Sequence, residues 1–248
     1  MNYNIRKHIS VLSKIIFAYF IFMECSFSEE RLSKQELDKI MYEYIMENPQ
    51  VILDSVDKLR KKMKEDSKLD EDYLKENFMQ FANNPNIPYM GSDTPKVIII
   101  EFFDYNCSYC KKSLDAVAEL LRTEYDLKIS FRDYPILSPS SRIAAKAALA
   151  AKKQGKYFSF HSALMSMQGN LNEDKIFTIA NNLEMDIEKL KIDMQKDEIE
   201  EIIENNESLA RKLNIRGTPT FIINGKLYAG ALDLKKLRQI INNSLQDS

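Results

Sequence analysis

The sequence predicts an α/β fold, in which a sheet is covered by helices, a helical subdomain is inserted, and a helical arm comes first. Three observations support this prediction. An apolar run at 97–103 gives way to helical periodicity and then to an alternating run; a long helical section follows; and two short strand-like runs flank Asn224-Gly225. The predicted order is strand, helix, strand, several helices, hairpin and helix.

The N-terminal residues have the layout of a secretory signal peptide. Basic residues precede an apolar run at 15–23, and small residues follow it up to Ser28. The run is about half of the roughly 20 apolar residues that span a bilayer. We therefore expect residues 1–28 to be a signal peptide that is cleaved after Ser28. An uncleaved N-terminus that tethers the protein to a membrane is the alternative.

Cys25 raises the alternative of lipid attachment, because it follows the apolar run. Residues 22–24 lack the small side chains that a lipoprotein signal usually carries. If Cys25 leaves with the signal, the mature chain keeps two cysteines, Cys107 and Cys110. A disulfide framework needs cysteines that are distant in sequence, so this close pair indicates a chemical role for the cysteines and not a structural one.

Residues 29–82 are expected to form an N-terminal helical arm. Apolar residues recur at steps of three and four, and Asn48-Pro49 ends one helix and begins the next. The second helix carries a heptad seam, formed by Ile52, Val56, Leu59 and Met63. Two interpretations stay open: a helix packed on its own domain, and an arm through which the chain forms a homo-oligomer.

Residues 83–96 are expected to be a linker, because they hold three prolines, a glycine and several turn-forming residues. Residues 97–248 are expected to fold as one domain. Its predicted strands and helices follow in chain order: strand 97–103, helix 111–124, strand 128–134, a helical insertion at about 139–215, strands 219–223 and 226–229, and a last helix near 234–245. This order is that of a thioredoxin-like core with a helical insertion.

Cys107 and Cys110 lie where the first strand gives way to a helix. Residues three positions apart share one face of a first helical turn, where their sulfurs can bond or separate with little backbone movement. The helix dipole and the free amide groups favour the thiolate of Cys107, which makes it the nucleophile. Cys110, one turn later and more enclosed, would resolve the mixed disulfide.

Zinc binding is the alternative for two cysteines at this spacing. A structural zinc site needs four ligands, and the chain has no second cysteine pair. His161 is the only histidine left after signal cleavage. We expect no metal and no cofactor. The net charge of -2 and the pI near 5.9 also give no basic patch that would indicate nucleic acid as a partner.

The segment from Gly217 to Thr220 opens the first strand of the hairpin. A proline is tolerated at a strand start because it cannot donate to the ladder, and a conformationally special bond between Thr218 and Pro219 is compatible with this position. Alone, such a proline often marks only the boundary of a strand. Combined with a cysteine pair about 110 positions earlier, it becomes a specific signal.

Two charged residues stand out on the predicted strands. Glu101 interrupts an apolar run, and Arg132 lies in the strand expected to run beside it. Because buried charges need partners, a cross-strand ion pair is one interpretation.

Four features together resemble the DsbA-like family of exported thiol:disulfide oxidoreductases: EFFDYNCSYCKK at 101–112, FRDYPIL at 131–137, the helical insertion, and GTPTFIING at 217–225. The resemblance covers about residues 90–245. It implies a redox-active disulfide between Cys107 and Cys110, a cis Pro219 lying against it, and backbone hydrogen bonds from Thr218 to the substrate chain. It also implies a periplasmic location.

The resemblance implies further roles near the cysteines. Glu101 would lie beneath the site and assist proton transfer, with Arg132 as its basic partner, while Ser108 and Tyr109 would contact substrate. Strongly oxidising members carry histidine where this chain has Tyr109, and proline where it has Ser108. Without that cation Cys107 should be less acidic, so we predict a lower reduction potential than theirs.

Three functions fit these features. As an oxidase, the protein would donate its disulfide to cysteine-containing exported proteins and be reoxidised by a membrane redox partner. As an oligomeric isomerase or reductase, it would act through the same cysteines, which the heptad seam and Thr218 slightly favour. A non-catalytic envelope protein that binds through the helical insertion is the third.

Overall fold

The computed structural model describes residues 32–122 and 126–246, without the side chains at 63–70. The expected signal peptide, 1–28, and Cys25 lie outside these residues. The chain divides into two compact units, one up to Lys61 and one from Lys62 onward. Over the described ranges, no helix combines the length and the apolar character that crossing a membrane requires.

The first unit is helical. Helix α1 (Lys34–Glu47) begins with a capping box, in which Ser33 and Glu36 satisfy each other's backbone amides. Helix α2 (Gln50–Ala82) follows and continues into the second unit. Most of the apolar side chains described in this unit are solvent-exposed, and those of the heptad seam from Ile52 to Leu59 are between 37% and 57% exposed.

The second unit is a five-stranded sheet with helices on both faces. Its strands are β1 (Tyr89–Gly91), β2 (Val97–Phe103), β3 (Leu127–Asp133), β4 (Thr220–Ile223) and β5 (Lys226–Ala229). Its further helices are α3 (Ser108–Arg122), α4 (Pro139–Ala151), a 3-10 turn (Lys152–Gln154), α5 (Tyr157–Ser166), α6 (Glu173–Asn182), α7 (Ile187–Met194), α8 (Asp197–Lys212) and α9 (Leu234–Gln246).

The strand order is β1-β3-β2-β4-β5. Strands β2 and β3 are parallel and connected through α3, whereas β1 and β4 pair antiparallel with their neighbours. The β4–β5 hairpin turns at Asn224 and Gly225, which both have positive φ, as a tight hairpin turn requires. The predicted fold class, a thioredoxin-like core with inserted helices, is confirmed.

Side chains of β2 alternate between two cores. Ile99 and Phe103 face the core that contains both cysteines and most of the inserted helices. Ile100 and Phe102 face a second core, which α8 and the end of α2 cover. Because successive strand residues point to opposite faces, a shift of one position decides which core a side chain enters.

The segment 83–96 differs from the expected linker. It contains β1, which pairs antiparallel with β3. This strand has three residues, all exposed, and so lacks the apolar alternation that would announce a strand. The end of the expected arm also contributes to the second core, through Leu74 and Phe78 of α2.

Candidate active site

Cys107 immediately precedes the first residue of α3. After β2 ends, Asp104 shapes a short turn: its carboxylate accepts a hydrogen bond from the amide of Asn106 at 2.7 Å, and its carbonyl accepts one from the amide of Cys107 at 3.0 Å. The turn places the Cys107 sulfur at the start of a helix, where backbone amides are free to donate.

The Cys107 sulfur has two close backbone contacts. The amide of Cys110 donates to it at 3.2 Å, and its thiol donates to the carbonyl of Thr218 at the same distance. Both cysteines are free thiols, and Cys107 is 5% exposed while Cys110 is fully buried. The structure therefore has the two thiols in the relation expected for a nucleophile and an enclosed resolving cysteine.

The two thiols differ in acidity. Hydrogen bonds from the Cys110 thiol and from the backbone amides of Cys110 and Tyr109 stabilise the Cys107 thiolate and lower its pKa to about 6. Burial raises the pKa of Cys110, and the neighbouring Cys107 raises it further. At neutral pH Cys107 is thus the thiolate and Cys110 the thiol, which are the protonation states that attack by the first and resolution by the second would require.

The Thr218–Pro219 peptide bond is cis, as the resemblance implies. The loop that carries it is fixed at both sides, because the Thr220 hydroxyl donates to the carbonyl of Gly217 at 2.8 Å and the Gly230 amide donates to the carbonyl of Pro219 at 2.9 Å. The structure thus brings Thr218 against Cys107, 111 positions away in sequence.

Glu101 lies in the middle of β2 and is 3% exposed. It faces the core of the cysteines, since it shares the strand parity of Ile99 and Phe103. Burial raises the pKa of Glu101 to about 8, and the charge of Cys107 contributes to the rise. A carboxyl group in this position can change its protonation near neutral pH.

The expected pairing of Glu101 with Arg132 is not formed. In the register of β2 and β3, Glu101 lies beside Phe131, and Arg132 lies beside Phe102 on the other face of the sheet. Arg132 donates instead to the side-chain oxygen of Asn206 and to the carbonyl of Phe81, both at 2.7 Å. This corrects the assignment of Arg132 to the redox site, since its contacts join α8 and the end of α2 to the sheet.

Ser108 and Tyr109, which lie between the cysteines, are both exposed at the start of α3. The Tyr109 ring is 63% exposed, and the Lys112 ammonium lies 5.3 Å from its centroid. An exposed aromatic ring next to the nucleophile can contact a substrate chain.

Sequence reasoning missed Asn106, which joins the cysteine turn to the helical insertion. Its side-chain oxygen accepts from the amide of Leu171 at 2.7 Å. Its side-chain nitrogen donates to the hydroxyls of three serines at the start of α4: Ser138, Ser140 and Ser141. The only signal for this role in the sequence is the position of Asn106, directly before Cys107.

Lys111 makes a second connection to the insertion that the sequence did not indicate. Its ammonium donates to the carbonyls of Met167 and Gly169 at 2.7 and 2.8 Å. These two residues belong to the segment between α5 and α6. The insertion is therefore fastened to the active-site helix on both sides of Cys107.

Comparison with known proteins agrees with this geometry. The thioredoxin family model matches residues 83–243, and the model of the copper resistance protein ScsC N-terminal domain matches residues 34–65. A thioredoxin-like oxidoreductase from Silicibacter pomeroyi is 37% identical, with a TM-score of 0.65 over 67% of this chain and 96% of that one.

Two further solved structures are similar. The thiol-disulfide exchange protein alpha-DsbA2 from Wolbachia pipientis is 33% identical, with a TM-score of 0.64 over 70% of this chain and 96% of that one. The catalytic domain of Proteus mirabilis ScsC is 26% identical, with a TM-score of 0.65 over 71% of this chain and 98% of that one.

Curated relatives include longer proteins. The chain is 27% identical to a Na(+)/H(+) antiporter NhaA 1 of Salinispora arenicola, over 62% of this chain, and it spans only 24% of that protein. It is 25% identical to disulfide bond formation protein D of Bacillus subtilis, over 64% of this chain and 77% of that protein. The chain belongs to the thioredoxin family, among the thiol:disulfide oxidoreductases of the DsbA and ScsC type.

Proposed function

We propose that this protein is exported and forms disulfide bonds in secreted or envelope proteins through the Cys107/Cys110 pair. The observation that carries the proposal is the environment of the Cys107 sulfur. This sulfur accepts a hydrogen bond from the Cys110 amide at the start of α3 and lies 3.2 Å from the carbonyl oxygen of Thr218. This arrangement favours the thiolate of one cysteine alone.

In the oxidised protein the two cysteines form a disulfide. A substrate thiolate attacks the Cys107 sulfur; a substrate–Cys107 bond forms, and the bond to Cys110 breaks with its electron pair on the Cys110 sulfur. A second substrate thiolate then attacks the substrate sulfur and releases Cys107 as a thiolate. The substrate gains a disulfide, and the protein gains the two electrons. The lowered pKa of Cys107 makes it a good leaving group in the last step.

Glu101 supplies the proton that this cycle needs. The Cys110 thiolate that leaves in the first step is buried, and burial raises its pKa, so it takes up a proton. Glu101 still carries one at neutral pH, because its pKa is about 8, and it faces the same core. In the reverse direction Glu101 accepts the proton as Cys110 attacks Cys107.

The groups around Cys107 would bind the substrate. The backbone of Thr218 would pair with the extended substrate chain, while Ser108 and the exposed ring of Tyr109 would contact its side chains. The signal-like N-terminus supports export and a periplasmic location, with a membrane tether as the alternative, and the relative in B. subtilis carries disulfide bond formation in its name. A membrane redox partner would restore the disulfide.

A second candidate function is disulfide isomerisation or reduction by a homo-oligomer. Most apolar side chains of α1, and Ile52, Val56 and Leu59 of the heptad seam, are exposed, and residues 34–65 match the ScsC N-terminal domain. Burying such a seam between copies of the chain would remove apolar surface from water. We propose residues 29–82 as the oligomerisation segment for this alternative.

The mass of the mature protein separates the two candidates. It is measured with and without residues 29–61, which precede the unit that contains both cysteines, together with refolding of a scrambled multi-disulfide substrate. An oligomer that loses both its assembly and its refolding activity on truncation supports the isomerase. A monomer without refolding activity supports the oxidase.

The redox function itself is tested by Cys107→Ser. Turnover of a reduced protein substrate should fall to the uncatalysed rate, because the other described thiol, Cys110, is buried and protonated, while the thermal unfolding transition persists. Retained turnover in Cys107→Ser would instead favour a protein that binds through its insertion and keeps the cysteines without using them.

A further inference from the structure

Asp133 is a second buried acid on the face of the sheet that carries Glu101. It is the last residue of β3 and is 1% exposed. Glu101 lies beside Phe131, and Phe103 lies beside Asp133, so the two acids are one diagonal step apart in the register. Residues two apart on a strand share a face, which places both carboxyl groups toward the core of the cysteines.

The Asp133 carboxyl group has no compensating partner among the residues that the structure describes. Neither of its oxygens receives a hydrogen bond from another described residue. The hydroxyl of Tyr157 interacts electrostatically with it and also with Tyr105. A buried carboxylate that has no neighbouring cation, and no donor from another described residue, is so costly that the group keeps its proton instead.

The titratable groups around Asp133 provide no positive charge. Asp104, in the turn after β2, acts on Asp133 with its charge. Tyr105 of the same turn and Tyr157 of α5 each interact electrostatically with both Asp133 and Glu101. His161 stacks on the Tyr157 ring and lies 3.0 Å from the Tyr105 hydroxyl. Because burial lowers the pKa of His161 to about 3, its ring is neutral.

The charge on Asp133 decides what Glu101 can do. Two carboxylates on one buried face repel each other, so ionisation of one hinders ionisation of the other. If Asp133 were ionised at neutral pH, Glu101 would be held protonated and could not accept the proton of Cys110. A neutral Asp133 leaves Glu101 free to change its charge. Burial raises the pKa of Asp133 and outweighs a hydrogen bond from its own backbone amide, which lowers it, and the nearby Asp104 raises it further.

We propose that Asp133 is a positioning residue of the redox site, which stays protonated through the cycle and leaves Glu101 as the acid that exchanges a proton with Cys110. This inference rests on the proposed function. When Cys110 attacks the mixed disulfide, its proton passes to the Glu101 carboxylate, its sulfur bonds to Cys107, and the substrate sulfur leaves with the electron pair. Asp133 neither gains nor loses a proton.

Infrared spectroscopy of the full chain tests this assignment, since a protonated carboxylic acid has a carbonyl stretch distinct from that of a carboxylate. Spectra are recorded for the reduced and oxidised protein from about pH 5 to 9, a range that covers the expected titration of Glu101. Labelling aspartate with carbon-13 identifies the band of Asp133 without a substitution. We expect that band at full intensity throughout, in both redox states, and its loss in Asp133→Asn.

The glutamate band provides the internal control. It should disappear as the pH passes about 8, and it should be absent in Glu101→Gln. An aspartate band that is missing at neutral pH, or that titrates in place of the glutamate band, overturns the proposal. Failure of the proposed function is a separate result, because retained turnover in Cys107→Ser would leave the aspartate band unchanged.

The pH dependence of stability gives a second test. Asp133 loses its proton near pH 4 when the chain unfolds but keeps it in the folded protein, so its contribution lowers the free energy of unfolding as the pH rises above about 4. The slope of the free energy of unfolding against pH is set by the difference in bound protons between the folded and unfolded states. Asp133→Asn should therefore reduce that difference by one proton above about pH 4. An unchanged slope in a folded Asp133→Asn variant contradicts a protonated Asp133.

Discussion

Glu101 and Arg132 lie on neighbouring parallel strands but point to opposite faces of the sheet. Their strands are in a register that sets Glu101 beside Phe131 and Arg132 beside Phe102. Glu101 thus faces the core that contains both cysteines, whereas Arg132 donates hydrogen bonds to Asn206 and to the end of α2. Because the two side chains lie on opposite faces, they do not form a proton relay. The effects of replacing Glu101 and of replacing Arg132 can therefore be predicted separately.

Replacing Arg132 should reduce stability and leave the titration of the site in place. Arg132→Met leaves the buried oxygens of Asn206 and Phe81 without their charged donor, which costs about 2–3 kcal/mol in the free energy of unfolding. Denaturant unfolding measures this loss, with the exposed Arg216→Met as the control. A shift in the pH profile of thiol exchange in Arg132→Met would show that the residue does act on Glu101.

Replacing Glu101 should slow the step in which Cys110 resolves a mixed disulfide. Loss of a positioned general base lowers such rates by on the order of 100-fold. In the wild type the rate should rise with pH up to about 8, because Glu101 accepts the proton only when ionised. Glu101→Gln should lose that dependence.

Rapid quenching of a preformed mixed disulfide measures this rate. The exposed Asp115→Asn on α3 is the matched control and should behave as the wild type. Equal rates in Glu101→Gln and Asp115→Asn would remove Glu101 from the mechanism.

The acidity of Cys107 should depend on the side chain at position 110. The Cys110 thiol is the largest contributor to the lowered pKa of Cys107, which is about 6. A hydrogen bond to a charged group contributes about 1.5 kcal/mol, so Cys110→Ala should raise the pKa of Cys107 by about one unit. Cys110→Ser keeps a donor and should raise it less. Thiolate absorbance against pH measures both, and identical titrations would contradict the assignment.

The side chain at position 109 should tune the reduction potential. Tyr109 is exposed beside the cysteines and brings no positive charge. Tyr109→His would place a cation near the Cys107 thiolate and favour the reduced form; a tenfold change in the equilibrium raises the potential by about 30 mV. Equilibration with a glutathione buffer measures the change, and Tyr109→Phe keeps the ring as the control. A higher potential for the wild type than for the histidine variant would refute this.

The sequence was sufficient for those parts of the structure that depend on local patterns. Apolar length indicated β2, helical periodicity indicated the insertion, and Asn224-Gly225 indicated the hairpin, all of which the structure contains. Strand β1 was missed because three exposed residues after Pro88 carry no alternation. Local sequence patterns predict a segment whose own residues favour one secondary structure. A short edge strand such as β1 forms because it pairs with a neighbouring strand, which its own sequence does not indicate.

Side-chain partners could not be predicted in the same way. The pairing of Glu101 with Arg132 required a register that differs by one residue from the one observed, and such a shift moves a side chain to the other face. Asn106 is important because of serines 32 or more positions away, and Asp133 because no other described residue donates a hydrogen bond to its carboxyl group. Neither property is visible in a residue's own neighbourhood in the sequence.

The assignment of attack to Cys107 and resolution to Cys110 is tested most directly by trapping the mixed disulfide. Cys110→Ala and Cys107→Ala are each incubated with a disulfide-containing peptide, and the products are identified by intact mass and peptide mapping. We expect a stable adduct on Cys107 in Cys110→Ala, because no second thiol can resolve it, and no adduct in Cys107→Ala, because Cys110 is buried and protonated. An adduct that forms on Cys110 at a comparable rate would contradict the assignment.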